Sequence, residues 1–227
     1  LKIEVKKFGR KDNFWGPTGD EGPCGPTSEI YVGGVEVWNL VFNQYYQHKD
    51  KHLENLKTNG IDTGMGLERL AMVVQKKKNI FETDLFDSIF EKFTKELPER
   101  IKRIIADHSR AITFLIIDGV RPSNKEQGYV LRRLIRRIIT YAYQENIKTP
   151  PQGILETVVG QYKNIYTNLD FTVIKEVYDQ EYTKFIKSVG LGLKKLDKLE
   201  AVDGQSAFRL YESFGLPYET IKEVAGD

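Results

Sequence analysis

The stretch IDTGMGLERL, residues 61 to 70, marks the point where the chain changes its hydrophobic period. Before it, residues 28–32 and 35–47 are rich in Val, Tyr, Phe and Trp and read as strands, with Gly33-Gly34 as a tight hairpin turn between them. A third strand runs into Ile61. After it, Leu67, Leu70, Ala71 and Val74 fall at i, i+3, i+4 and i+7, one face of a helix. Gly64 and Gly66 flank Met65 at this strand-to-helix turn, and Arg69 stands in the first helical turn. A cation is disfavoured there, because a helix N-terminus already carries partial positive charge. An arriving anion removes the conflict. Free N–H groups and small glycines form an anion site, and a guanidinium grips phosphate at two points. Asp62 would then hold a cationic group. The blander alternative is a glycine-rich turn with an ion pair between Arg69 and a neighbour.

Outward from this point the chain divides in kind. Residues 2–8 alternate like a strand, and residues 9–27 hold five glycines and three prolines, the composition of a long loop. Beyond residue 64 the pattern is helical throughout, with further helices expected at 84–96, 98–117, 128–146, 152–168, 171–200 and 203–214, and a short one after Pro217. Asp84 and Pro98 suit helix starts. The expectation is an α+β chain, an antiparallel sheet followed by an all-α half, dividing into residues 1–97 and 98–227. Of the 227 residues, 29% are charged and 40% hydrophobic, and the net charge is only +2, so overall charge names no partner. Residues 99–150 nevertheless contain eleven Lys/Arg against five Asp/Glu, a local basic excess. The single cysteine, Cys24, excludes an internal disulfide and a thiolate metal cluster. No apolar run approaches the ~20 residues of a membrane span, and no signal peptide is visible.

Several blocks carry a resemblance. IDTGMGLERLAMVVQ (61–75) closely resembles motif 3 of the class II aminoacyl-tRNA synthetases in its alanyl form. DNFWGPTGDEGPCGPTSEIYV (12–32) is similar to that family's signature loop, and VEVWNLVFNQY (35–45) to its next strands. ADHSRAITFLIIDGVRPSNKEQGYVLRRLIRR (106–137) resembles the opening of its helical tRNA-recognition region, and DGQSAFRLYESFGLP (203–217) a later landmark of that region. The blocks run in family order over nearly the whole chain. The resemblance implies ATP with Mg²⁺ and alanine as substrates, and an alanine–tRNA ligase reaction. It implies that Arg69 grips ATP phosphate, that Gly64 and Gly66 let backbone lie against the adenosine, and that Asp62 binds the ammonium of alanine. Trp15, Asn39 and Val41 would line the small amino-acid pocket. Pocket size alone separates small side chains poorly. Trp38 alternates with Val37 and Asn39 and is assigned to the core. Asp20 and Glu21 read as solvated turn residues.

In the second half, Arg132, Arg133, Arg136 and Arg137 form a cluster on two adjacent helical stripes, above a buried face of Leu131, Leu134, Ile135, Ile138 and Ile139. With Arg121 and Lys125 nearby they are expected to track phosphate, the alternative being a solvated face paired with acids. Asn124 precedes the helix, and a carboxamide suits a groove edge. The resemblance implies that Asn124 and Asp203 read a G·U wobble pair in the acceptor stem of an alanine tRNA, through the wide minor groove of RNA. Asp203 also suits an N-cap. His108 is expected to be structural. His48 and His52 lack a third ligand in sequence, and no zinc is expected in this segment.

Three departures from the family pattern stand out. Motifs 1 and 2 are not found, so a further N-terminal segment or subunit is expected as a partner. The family's editing domain is not found either. Thr27 stands where the family loop commonly has a second cysteine. The expected compartment is cytoplasmic or an organellar matrix, with no membrane partner.

Overall fold

The computed structural model describes residues 3–93, 96–147 and 152–225. It is α+β, a four-stranded antiparallel sheet followed by helices. The strands are β1 (Phe14–Trp15), β2 (Gly22–Val32), β3 (Val35–Gln47) and β4 (Leu53–Met65), in the order β1-β2-β3-β4. Sequential neighbours pair throughout, the simplest solution for strands joined by tight hairpins. Gly33 and Gly34, both at positive φ, turn the β2–β3 hairpin as the sequence predicts.

Two differences from the sequence reading lie at the start. Residues 3–8 form no strand, although they alternate. Conversely, β2 begins at Gly22, inside the stretch expected to be loop. Its register against β3 slips between Cys24 and Thr27. A bulge of this kind accommodates Gly- and Pro-rich sequence within a ladder.

The helices are α1 (Leu67–Val74), α2 (Asp84–Phe90), α3 (Glu99–Ile117), α4 (Glu126–Gln144), α5 (Gln152–Tyr162), α6 (Phe171–Leu196), α7 (Gly204–Phe214) and α8 (Tyr218–Ala225). The chain separates into two compact units, Leu1–Leu85 and Phe86–Asp227. The division therefore falls before α2 has ended, earlier than the residue near 97 expected from the change of pattern. Phe86 and Ile89 are completely buried and belong to the second unit.

The two units differ in how much they bury. In the first, the buried hydrophobic side chains among the described residues are Cys24, Val37, Val41 and Met72. In the second, α3 to α6 pack their apolar stripes together around Ile105, Ile112, Leu131, Ile135, Leu155, Tyr178 and Phe185, each fully enclosed. Among the described residues no helix is long and apolar enough to cross a membrane.

Candidate functional site

In the first unit the sheet register gathers four of the expected site residues. Val41 lies directly opposite Asp62, and Asn39 opposite Gly64. Directly paired residues project to one face, and alternate residues share it. Asn39, Val41, Asp62 and Gly64 therefore form a single patch. Glu29 and Thr27 extend it, since they pair with Asn39 and Val41 on the other side. Glu29 accepts from Asn39 Nδ2 at 3.3 Å and from the Tyr31 hydroxyl at 2.7 Å. Val41 is buried beneath the patch, whereas Asp62 is exposed. One carboxylate oxygen of Asp62 accepts from the Thr63 backbone N–H at 2.9 Å, which orients the side chain. Above Gly64 nothing lies within 4 Å of where a Cβ would stand. A flat ring has room to lie against that backbone.

Arg69 is placed differently. Its guanidinium donates to the Glu36 carboxylate at 3.2 Å and to the Glu36 carbonyl at 3.3 Å. This is the ion-pair alternative, and it answers why a cation is tolerated in the first turn of α1: Glu36 and the neighbouring Glu68 offset the helix dipole. The pair is not sealed, since the Arg69 side chain is 54% exposed. Gly66, the N-cap of α1, packs under the Arg69 methylenes. Glu36 and Val41 are five residues apart on β3, about 17 Å along an extended strand. Asp62 and Arg69 lie towards the same end of the β3–β4 pair, three residues before Met65 and four after it, but their side chains do not pair with each other.

Trp15 lies on the edge strand β1 opposite Gly25 and is 39% exposed. Trp38 is a correction. It is only half-buried, on the face opposite Asn39, and its indole N–H donates to the Thr63 hydroxyl. An indole on a strand of a thinly covered sheet meets its donor requirement with a neighbouring strand instead of entering a core. Cys24 is fully buried, and burial pushes its thiol up, so it is not poised as a thiolate. His48 and His52 stack with ring centroids 4.1 Å apart, His48 meeting Glu54 and His52 meeting Asp50. No group of three or more His, Cys, Asp or Glu side chains among the described residues is arranged to hold a metal ion.

In the second unit the arginine cluster divides. Arg136 lies 2.7 Å and Arg132 3.5 Å from one oxygen of Glu181, a carboxylate only 3% exposed. Arg133 faces Glu219 at 3.8 Å, and Arg137 faces Glu223 at 3.7 Å. Each arginine therefore has an acid partner, the alternative weighed against phosphate tracking. Arg133 keeps the most surface, at 45%. Glu181 was not anticipated. It occupies the buried stripe of α6 between Val177 and Phe185, and a carboxylate at an apolar position is itself a signal of a buried cation.

Asn124 is exposed, and its carboxamide oxygen accepts from Arg132. The NH₂ end is thereby the end aimed away from this bond. The loop carrying it is pinned where Ser123 N–H donates to the Gly128 carbonyl at 3.0 Å, an approach with no room for a Cβ at Gly128. Asp203 is the N-cap of α7 in a reciprocal capping box with Ser206. Its carboxyl is held below the usual aspartate range by the Ser206 backbone N–H and hydroxyl. His108 is buried, bonded to Asp107 at 2.9 Å and approached by Arg137 at 3.5 Å, a structural setting.

Comparison with known proteins bears on both units at once. Residues 1–227 match the family described as tRNA synthetases class II (A). The chain is 37% identical to an alanine–tRNA ligase of Dehalococcoides mccartyi, over 98% of its own length and 30% of that protein. It is 35% identical to the alanine–tRNA ligase of Petrotoga mobilis, over 99% of its own length and 30% of that protein. The enzyme of that name from Rubrobacter xylanophilus is 37% identical over 99% of the chain and 31% of that protein. The chain thus spans about 30% of the length of the curated relatives it matches.

Proposed function

The chain belongs to the class II (A) tRNA synthetases, and from that membership we propose that it is part of an alanine–tRNA ligase. Its first unit carries motif 3 of the catalytic site, and its second unit carries helices that bind the tRNA acceptor stem. The observation that bears most weight is the sheet register. Val41 opposite Asp62 and Asn39 opposite Gly64 put a carboxylate, a carboxamide, an apolar floor and an open backbone on one patch.

The chemistry follows from those groups. The Asp62 carboxylate attracts the ammonium of alanine, and Val41 with Trp15 leaves space for a methyl group. Gly64 receives the adenosine. Arg69 exchanges Glu36 for phosphate, a substitution of one anion for another at a half-exposed guanidinium. Mg²⁺ accompanies ATP and takes hard oxygen ligands, one of which Glu29 would supply. An oxygen of the alanine carboxylate attacks the α-phosphorus, and pyrophosphate leaves. A hydroxyl of the terminal ribose of tRNA then attacks the acyl carbon, and AMP leaves. The protein's part is positioning and charge stabilisation. Ile61 and Met65 on β4 and Ile30 on β2 are exposed apolar side chains of the sheet, which fits a further N-terminal segment or subunit covering it. With that segment restored, alanine-dependent ATP–pyrophosphate exchange is expected. Arg69→Ala and Asp62→Ala should each abolish it; normal exchange in both would refute the site.

The second unit supports a reading as an RNA-binding module with or without turnover. Asn124 donates from its NH₂ end to a base carbonyl, and Asp203 accepts from an exocyclic amino group. Arg133 meets phosphate, while Arg132, Arg136 and Arg137 hold the elements that present Asn124. Replacing the wobble pair of an acceptor-stem hairpin by a Watson–Crick pair should weaken binding to this chain, and Asn124→Ala should remove the difference. Equal binding of both hairpins by the unaltered chain would exclude base reading.

A further inference from the structure

The four arginines singled out in α4 are each matched by a glutamate, so they are poor candidates for the main phosphate contact. A different line of positive charge lies on α6. Lys184, Lys187 and Lys194 fall on one face of this helix with Leu191 between them, and Lys198 follows in the turn after it. The spacings are three, four, three and four residues, so the row runs about 21 Å along the helix axis. All five side chains are exposed, Leu191 to 62%. Among the described residues none of the four lysines forms an ion pair, in contrast to Lys175, which bonds Asp179 at 2.5 Å on the same helix. The opposite face of α6, with Phe185, Val189, Leu193 and Leu196, is buried in the core, so the row has a fixed direction.

A helix C-terminus accounts for part of this. Cations in the last turn complement the dipole, which suffices for Lys194 and Lys198. It does not account for Lys184 and Lys187, which stand two turns or more from the end. A membrane surface is the poorer occupant. Interfacial binding requires a broad apolar face, and the apolar face of α6 is already packed.

We propose that Lys184, Lys187, Lys194 and Lys198 form the sequence-independent track for the phosphate backbone of an RNA duplex, separate from the residues that read bases. The proposal rests on the RNA-binding function proposed for the second unit. It makes the salt dependence of binding a property of α6 and the wobble-pair preference a property of Asn124 and Asp203.

The test uses the whole chain and an acceptor-stem hairpin with a G·U pair. Binding is measured across a salt series for the unaltered chain and for the variant with all four lysines changed to Gln. Gln has nearly the helix propensity of Lys, and circular dichroism checks the fold. Each lost phosphate contact lowers the slope of log affinity against log salt by about one. The expected slope is therefore shallower by about four, with discrimination between wobble and Watson–Crick hairpins intact. Lys175→Gln, which alters a paired lysine, should leave the slope unchanged. A quadruple variant whose slope shifts by less than about two overturns the proposal while leaving the base-reading function standing. So does a variant that loses affinity for phosphatidylserine vesicles but not for the hairpin. Failure of the unaltered chain to bind the hairpin even at low salt overturns both.

Discussion

Arg69 and Glu181 are the two residues whose partners most alter what the sequence suggests. Arg69 is paired with Glu36 on a half-exposed surface, where an ion pair contributes only about 0–1 kcal/mol. Glu36 therefore competes weakly with phosphate. In the complete catalytic domain, Glu36→Gln should lower the KM for ATP in pyrophosphate exchange by up to about fivefold; a KM that does not move would show that Glu36 is no competitor. Glu181 is the opposite case, since it is enclosed and serves two guanidiniums. Removing it leaves partly buried cations without a counter-charge. Glu181→Leu should cost about 2–4 kcal/mol in urea unfolding. The arginines are a quarter exposed or less, so water relieves some but not most of that loss.

At the scale of elements, helix ends govern the second unit. α7 opens on the Asp203 capping box and closes on Gly215, whose φ of 68° is left-handed. Alanine at Gly215 incurs about 1–2 kcal/mol of backbone strain and also meets the Arg136 guanidinium. Gly215→Ala should thus lower the melting temperature, and RNA binding would fall only if Arg136 moved α4. At Asp203 the cap and the proposed base contact can be separated. Asn caps as well as Asp, so Asp203→Asn should keep the melting temperature and lose wobble-pair preference. Retention of both would mean that the cap is all Asp203 provides. α8 is tied down through Glu223. Burial pushes this carboxyl up, but hydrogen bonds from Arg100 and Tyr141 outweigh burial, and it titrates below the usual glutamate range. A lowered folded value stabilises above the unfolded pKa, about 4.3 for glutamate, and the contribution disappears as pH falls through the folded value. Glu223→Gln should therefore destabilise the chain at neutral pH and flatten its stability profile below about pH 4.3.

At the scale of the molecule, the two units are unequal. The large, fully enclosed side chains from Phe86 to Tyr178 and Phe185 all belong to the second. The first unit holds its sheet mainly by strand pairing over few buried groups. Hydrogen exchange should accordingly be fast in β3 and β4 and slow in α4 and α6. Equal protection in both would mean that the sheet has cover not evident from its side chains.

Local periodicity carried much of this architecture. The helical spacing from Leu67 onward, the stripes of α4 and α6, and the Gly33-Gly34 turn are short-range properties, and an apolar row at one spacing permits few backbones. The Asp203 cap is equally local. Motif order along the chain likewise carries the family signature without reference to the fold. Pairing across the chain was beyond reach of the same signals. Nothing near residues 22–27 announces a strand among glycines and prolines, because its stability comes from β3. No neighbour of Arg69 or Arg136 in sequence names Glu36, 33 positions away, or Glu181, 45 positions away. Charge is read from a sequence residue by residue, but whether it is free to meet a ligand depends on which opposite charge the tertiary fold brings beside it.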